Sequence, residues 1–329
     1  MTLPARTVQV DRLILARLRG FCAGVVRAID VVEKALEVCG KPVYVRHEII
    51  HNRYVVDELR RKGAVFVEEL SEVPPGSWLI FSAHGVGPQV RREAADRNLR
   101  VIDATCPLVM KVHFEAISYA KQGYSIILLG HSHHVEAIGT FGEAPESIQV
   151  VGSVEGAEKV QVRDPERVAY LTQTTLSLDD TAGILDVLKR RFPKLAGPSK
   201  DDICYATQNR QNAVKSLVPK VDALLVLGAP NSSNSLRLRE VSEKLGRRAY
   251  LIETAKDIRD EWLQDVRTLG LTASASAPEV LVQEVIEHCR RTYGVREVLE
   301  DETVTENMRF SIPQELEKLV QEKRGGNRS

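Results

Sequence analysis

The chain carries no net charge: 45 lysines and arginines balance 45 aspartates and glutamates over 329 residues. Without a surplus of either sign no global field draws in nucleic acid or an anionic membrane, so neither is expected as a partner. No apolar run reaches the roughly 20 residues that cross a bilayer. Met1 to Val10 lack the apolar stretch of a secretory signal, and a cytoplasmic protein is expected. Five cysteines in so long a chain do not make a disulfide framework; in a reducing compartment they read as metal, redox or core residues. Gly/Ser-rich linkers are missing as well. The nearest is Gly197-Pro198-Ser199-Lys200, so compact neighbouring lobes are expected. No Walker-type loop is present, so a nucleotide is not the obvious ligand.

What the chain has is a recurring junction. Val101-Ile102-Asp103 has strand character and runs into Ala104-Thr105-Cys106. Pro107 stands where a first helical turn tolerates it, and Val109, Val112, Ala116 and Ala120 then recur at helical spacing as far as Gly123. A thiol so placed lies beside the positive end of a helix, which favours thiolate. An isolated cysteine is more simply a small buried hydrophobe. This one is not isolated. Leu13 to Leu18 leads into Gly20-Phe21-Cys22-Ala23-Gly24, with Val25, Ile29, Val32 and Leu36 behind it, and Asp202-Ile203-Cys204-Tyr205-Ala206 leads into a helix-like stretch over 209–217. Three such junctions, each about one small domain apart, suggest an internal repeat.

Short Val/Ile/Leu-rich strands are expected after each cysteine: 43–46, 64–67 and 78–82; then 125–129, 148–151 and 168–172; then 223–227, 249–252 and 268–272. Helical connections are expected between them, including 52–62, 90–98, 235–245 and 256–262, with a weak one at 154–160. Such alternation implies parallel sheets buried on both faces. The expected fold class is α/β. It comprises three similar small lobes, each a mostly parallel four-stranded sheet, in a pseudo-threefold trefoil around a central cavity. The lobes span residues 13–104, 105–200 and 201–290. Residues 291–329 form a tail packing back on the lobes; in it Met308-Arg309-Phe310-Ser311-Ile312-Pro313 alternates like an edge strand, and Gly325 to Ser329 frays.

Ligands of open parallel sheets lie beyond the carboxyl ends of the strands. The polar groups there are His47 through Asn52 and Ser82-Ala83-His84-Gly85 in the first unit. In the second they are His131-Ser132-His133-His134-Val135-Glu136 and Thr172-Gln173-Thr174-Thr175. In the third they are Asn231-Ser232-Ser233-Asn234-Ser235 and Thr272 to Ser276. The nearer cluster recurs about 28 residues past each cysteine, a regularity that unrelated core positions do not produce. Three thiolates meeting on an axis favour a soft metal site. No fourth cysteine continues the series, as a closed zinc site would want; Cys39 and Cys289 read as core or surface. An iron–sulfur cubane held by three cysteines leaves one iron open. His51, His84, His134, Ser232, Ser233, Asn234 and Ser276 are a donor-rich set near helix starts that suits an anion such as diphosphate.

A competing motif is His47-Glu48-Ile49-Ile50-His51, which matches H-E-x-x-H of zinc hydrolases. That motif needs both histidines on one helical face. Here the segment follows a strand, and the helix begins near Asn52. His113 and His288 fall in helical runs and read as packing or solvent-facing residues.

Taken in order, Gly20-Phe21-Cys22-Ala23-Gly24-Val25, His47 through Tyr54, Ser82-Ala83-His84-Gly85-Val86, Ala104-Thr105-Cys106-Pro107-Leu108-Val109, Thr172-Gln173-Thr174-Thr175, Asp202-Ile203-Cys204-Tyr205-Ala206-Thr207, Asn231 to Ser235 and Ala275-Ser276-Ala277-Pro278 resemble the LytB/IspH family of 4-hydroxy-3-methylbut-2-enyl diphosphate reductases. The resemblance runs from about Leu13 to Gln283. One departure is visible: the family usually reads His-Pro-Glu where this chain has His134-Val135-Glu136. The resemblance implies a 4Fe–4S cluster on Cys22, Cys106 and Cys204 whose open iron binds the substrate hydroxyl. It implies diphosphate binding by His51, His84, His134, Ser232, Ser233, Asn234 and Ser276, protons from Glu136, and Thr174 positioning the hydroxyl and Glu136. The implied reaction is reductive dehydroxylation to isopentenyl and dimethylallyl diphosphate, last in the non-mevalonate isoprenoid pathway, with electrons from a ferredoxin or flavodoxin. The alternatives are a zinc hydrolase using His47 and His51, and a non-catalytic Fe–S sensor.

Overall fold

The computed structural model of the chain describes residues 8–301 and 306–326. In order, β1 (Arg12–Leu15) and α1 (Ala23–Cys39) are followed by β2 (Val43–Arg46), α2 (Arg53–Lys62), β3 (Ala64–Val67), β4 (Trp78–Phe81), α3 (Pro88–Asp96) and β5 (Arg100–Asp103). Then come α4 (Pro107–Lys121), β6 (Ser125–Leu129), α5 (Val135–Glu143), β7 (Ile148–Val151), α6 (Val154–Lys159), β8 (Val168–Thr172) and α7 (Leu178–Arg191). The last stretch holds α8 (Tyr205–Leu217), β9 (Ala223–Leu227), α9 (Ser233–Lys244), β10 (Arg248–Ile252), β11 (Thr268–Ala273), α10 (Glu279–Tyr293), β12 (Glu297–Glu300) and α11 (Gln314–Gly326). Local chemistry sets many of these bounds. Asn52 caps α2 by accepting from Val55 N, and Gly63, at φ 113°, closes it in the left-handed conformation that glycine tolerates. Ser177 caps α7; Asp179 and Asp180 fill its first turn and Lys189, Arg190 and Arg191 its last, complementing the helix dipole. No helix among the described residues is long and apolar enough to cross a membrane.

The chain divides into two compact units, Met1–Cys22 with Tyr205–Asn307, and Ala23–Cys204 with Met308–Ser329. The first holds a five-stranded parallel sheet in the order β10-β9-β11-β1-β12. Strand β9 is buried along its whole length. Its Leu225 and Leu227 join Leu13, Leu15, Leu269, Leu271 and the α10 residues Leu281 and Val285 on one face. Leu224 and Val226 join Val214 and Leu217 of α8 and Leu238 and Val241 of α9 on the other. A continuous apolar run is what a strand covered on both sides requires, because alternate residues serve opposite cores.

The second unit holds two parallel sheets, β3-β2-β4-β5 and β7-β6-β8. In β6 the same alternation sends Ile127 and Leu129 to one core and Ile126 and Leu128 to the other.

All three sheets are parallel, but they hold five, four and three strands instead of four each. The difference lies in which sheet each cysteine-leading strand joins. Strand β1, ahead of Cys22, pairs with β11 and β12 rather than with β2. Strand β5, ahead of Cys106, lies on the edge beside β4. Hydrophobic period identifies a strand but not its neighbour. No strand precedes Cys204. There the Asp202 carboxylate accepts from Thr172 N at 2.9 Å and pairs with Lys111 at 2.7 Å, so side-chain contacts hold a loop beside the end of β8.

Three further expectations need correction. Residues 256–262 form two short 3-10 turns rather than a helix, the first closed by reciprocal Thr254–Asp257 capping. The edge strand of the tail is Glu297–Glu300, not 308–313. Ser311 instead gives its carbonyl to Arg27 Nε at 2.7 Å, and Pro313, lacking an N–H, stands just ahead of α11, which lies against α1. Gly325 and Gly326 close that helix; the rest of the expected fraying, over residues 327–329, lies outside the described residues.

Candidate functional site

The three repeat cysteines are held alike by their backbones. Cys22 N donates to Ala275 O at 3.3 Å, Cys106 N to Ala83 O at 3.0 Å and Cys204 N to Thr174 O at 3.0 Å. Each acceptor belongs to a loop carrying one of the expected site residues: Ser276, His84 or Thr174. No cysteine is in a disulfide. The three are half-buried, whereas Cys289 is fully buried, and burial pushes its thiol up to about 12. Burial also raises the Cys39 thiol, at the end of α1. Half-buried and each standing at the start of a helix, the repeat cysteines are suited to act as soft thiolate ligands. Cys106 also occupies the N-cap position of α4, with Pro107 at the first helical position.

The second unit brings three histidines into contact. The rings of His51 and His84 stack with centroids 4.2 Å apart, and His134 lies edge-on to them at 5.5 and 6.2 Å. His51 follows β2 and stands next to the α2 cap; Ala83 N donates to Ile49 O at 3.2 Å and so ties the His84 loop to it. His134 caps α5, its Nδ1 accepting from Glu136 N at 3.2 Å. The helix therefore starts regularly with Val135 at its first position. Burial, then the neighbouring histidines, hold His84 well below the usual imidazole range and His134 at about 4. His84 and His134 are therefore neutral at pH 7.

Glu136 is 4% exposed, and Thr174 binds it. Its carboxylate accepts from Thr174 N at 2.6 Å and from Thr174 Oγ1 at 3.0 Å. Burial raises it to about 7, against the lowering effect of those two hydrogen bonds. A carboxyl poised there exchanges protons readily near neutrality.

In the first unit Ser232 caps α9, with Ser233 and Asn234 in its first turn. All three are buried. Both side-chain polar atoms of Asn234 are buried without a partner, as are Ser235 Oγ and Thr272 Oγ1. Unsatisfied buried amides are rare and mark sites that a ligand completes; at the N-terminus of a long helix the complementary ligand is an anion. Ser276 lies close by in its own loop, its Oγ 3.3 Å from Ser274 Oγ. Gly228 is what lets these loops meet: a Cβ there would lie 2.2 Å from Ser235 Oγ and 2.8 Å from Ser274 Oγ. Gly228→Ala is expected to displace the start of α9, raising KM for an anionic substrate at least tenfold while the far-ultraviolet circular dichroism stays that of the wild type.

The H-E-x-x-H segment is not helical. His47 engages Glu68 at 2.5 Å and His51 engages Glu48 at 3.1 Å. No three His, Cys, Asp or Glu side chains among the described residues gather round one metal ion, so the zinc motif lacks both its helix and its third ligand. His113 is buried and bonded to Glu143 at 2.7 Å, a packing role as expected. His288 lies edge-on to Tyr293. Sequence reasoning missed Asp202, although it stands two residues ahead of Cys204, and the buried Gln173, whose Oε1 accepts from His131 N at 3.2 Å. Their signal was the string of polar residues inside each motif.

A family profile described as LytB protein matches residues 13–290. The 4-hydroxy-3-methylbut-2-enyl diphosphate reductase of Methylococcus capsulatus is 54% identical over 310 residues, covering 93% of this chain and 99% of that one. The protein of the same description from Chromohalobacter salexigens is 56% identical, covering 93% and 98%. The solved structure of the Plasmodium falciparum E-1-hydroxy-2-methyl-but-2-enyl-4-diphosphate reductase matches with a TM-score of 0.91 at 38% identity, covering 96% of this chain and 99% of that chain.

Proposed function

This chain belongs to the LytB family of 4-hydroxy-3-methylbut-2-enyl diphosphate reductases, and from that premise we propose that it removes the hydroxyl of that allylic diphosphate by reduction, giving isopentenyl and dimethylallyl diphosphate. The balance is one substrate, two electrons and two protons giving one alkenyl diphosphate and one water. The observation that carries the proposal is the Glu136–Thr174 pair: a buried carboxyl raised to about 7 and gripped by one threonine. Hydroxide is a poor leaving group and needs a proton as the C–O bond breaks.

Cys22, Cys106 and Cys204 would hold the 4Fe–4S cluster that family membership implies. Bound there, such a cluster supplies electrons one at a time and an open iron for the hydroxyl. The chain's own residues do the rest. His51, His84 and His134 with Ser232, Ser233, Asn234 and Ser276 take the diphosphate, and the unpartnered Asn234 amide supports that assignment. Thr174 orients the hydroxyl and Glu136 delivers protons to it. Burial of Glu136 keeps bulk water from competing for the proton. A ferredoxin or flavodoxin would deliver the electrons, and thiols outside disulfides suit a reducing cytoplasm.

The test is an anaerobic assay of iron-loaded protein with 4-hydroxy-3-methylbut-2-enyl diphosphate and a chemical reductant, read beside iron content. Both alkenyl diphosphates are expected at about four irons per chain. Cluster-loaded protein that yields no product would point to a sensor, and air-stable activity with stoichiometric zinc to a hydrolase.

Substrate binding should also move protons. Burial and the neighbouring histidines hold His134 at about 4. A diphosphate beside it favours the imidazolium and raises that value. Binding therefore takes up protons and tightens as pH falls through the window above about 4. Calorimetry of diphosphate binding in two buffers of different ionisation heat is expected to show net proton uptake at pH 6; equal heats would show that His134 stays neutral beside the anion and overturn the predicted pH dependence.

A further inference from the structure

Three cations stand in equivalent places along the chain. Arg27 lies five residues past Cys22, Lys111 five past Cys106 and Arg210 six past Cys204. Each rides the helix that follows its cysteine: α1, α4 and α8. Each reaches the loop that ends at the next cysteine in order. Arg27 Nη1 donates to Ala104 O and Thr105 O, both at 3.0 Å, just ahead of Cys106. Lys111 Nζ donates to Lys200 O at 2.6 Å and to Asp202 Oδ1 at 2.7 Å, ahead of Cys204. Arg210 Nη2 donates to Gly20 O at 2.7 Å and to Phe21 O at 3.4 Å, ahead of Cys22. In sequence order the series closes on itself, so the internal repeat includes a cation that holds the approach to each thiol.

The three differ in what balances their charge. Lys111 is paired with Asp202 at 2.7 Å and Glu115 at 3.1 Å, and Arg210 with Glu306 at 3.0 Å. Arg27 is 8% exposed, and its acceptors among the described residues are neutral carbonyls: Ala104, Thr105 and Ser311. A buried charge without a counter-charge is costly, and proteins keep one only where something balances it. Burial weakens the hold of Arg27 on its proton; the anions whose fields oppose that effect are Cys106 first and Asp103 second. The carboxylate of Asp103 is already engaged by Thr105 N, at 2.9 Å, and by Thr105 Oγ1.

We propose that Arg27 is a positioning residue that supplies the fixed counter-charge for the cluster's thiolate at Cys106, and that it sets the reduction potential upward. The proposal rests on the iron–sulfur reading above. Reduction adds one negative charge to the cluster, and a buried cation beside a ligand favours the reduced form. The three backbone acceptors keep that cation in place without neutralising it.

The experiment is a potentiometric titration of anaerobically assembled full-length protein, followed by electron paramagnetic resonance, for wild type, R27Q and R27K, with iron measured on each. R27Q is expected to lower the one-electron reduction equilibrium about tenfold, a midpoint about 59 mV more negative. R27K, which keeps the charge and loses the guanidinium geometry, is expected to stay close to wild type. R27Q without a cluster beside R27K with a wild-type potential also supports the proposal. A wild-type potential in R27Q overturns it, as does R27K matching R27Q in potential or in failing to hold a cluster, because hydrogen bonding and not charge would then be the role. Wild-type protein that assembles no cluster under these conditions defeats the iron–sulfur reading itself.

Discussion

Glu136→Gln protein is expected to bind the allylic diphosphate with near wild-type affinity and to turn it over at least a hundredfold more slowly. Glutamine keeps the shape of the side chain: its Oε1 can still accept from Thr174 N, and its amide N–H can donate to Thr174 Oγ1 where the second carboxylate oxygen accepted from it. What it loses is the proton, and a positioned general acid contributes about 10²–10⁴-fold to rate. The wild type should lose turnover above pH 7, as a carboxyl raised to about 7 ionises; in the variant that limb disappears. Stability falls in the same direction of pH. The folded state holds the Glu136 proton more tightly than the unfolded chain, so the contribution of this group is full below the unfolded value near 4.3. It is lost as pH rises towards about 7. Cluster-free Glu136→Gln protein escapes that loss and should be the more stable of the two at pH 8, by on the order of 1–3 kcal/mol. Urea titrations at pH 5 and pH 8 check the sign. Unchanged turnover across the pH range would take Glu136 out of the proton path.

Replacing Cys106 by serine is expected to abolish iron binding and turnover together while leaving the fold intact. The backbone bond from residue 106 to Ala83 O does not involve the sulfur, and the Asp103–Thr105 turn ahead of it is untouched. Pro107 still opens α4. Cys39→Ser is the control: Cys39 lies at the end of α1, far along that helix from the Cys22 junction, and its loss should leave iron content and activity unchanged. Visible absorbance, iron analysis and circular dichroism read the three properties separately. Cys106→Ser protein that retains four irons and full activity would strike Cys106 from the ligand set.

The elements of this fold were largely legible because parallel strands covered on both faces write themselves as short apolar runs. Residues 223–227 are an example, buried throughout. Strand partnership was not legible. Nothing in Arg12–Leu15 distinguishes pairing with Val43–Arg46 from pairing with Thr268–Ala273, because both offer the same pleated apolar surface. The edge strand Glu297–Glu300 was missed for a related reason: largely exposed and flanked by charge, it has little periodicity to read. At the candidate site the residue types were visible at repeated offsets, but their couplings were not. That His134 caps the helix bearing Glu136, or that Thr174 supplies both donors to that carboxylate, depends on crossings of loops distant in sequence. The cations Arg27, Lys111 and Arg210 were in plain view and went unread, because each serves the cysteine after its own.

The placement of β1 has a consequence for how the protein is made. This strand leaves the ribosome roughly 250 residues before its neighbours β11 and β12. At typical elongation rates it waits roughly tens of seconds for them, an apolar segment with no ladder to join. Most of Ala23–Cys204 has meanwhile emerged and can collapse around its own two sheets. A strand made early is therefore secured late, and newly synthesised chains should depend on holdase chaperones until β11 and β12 arrive.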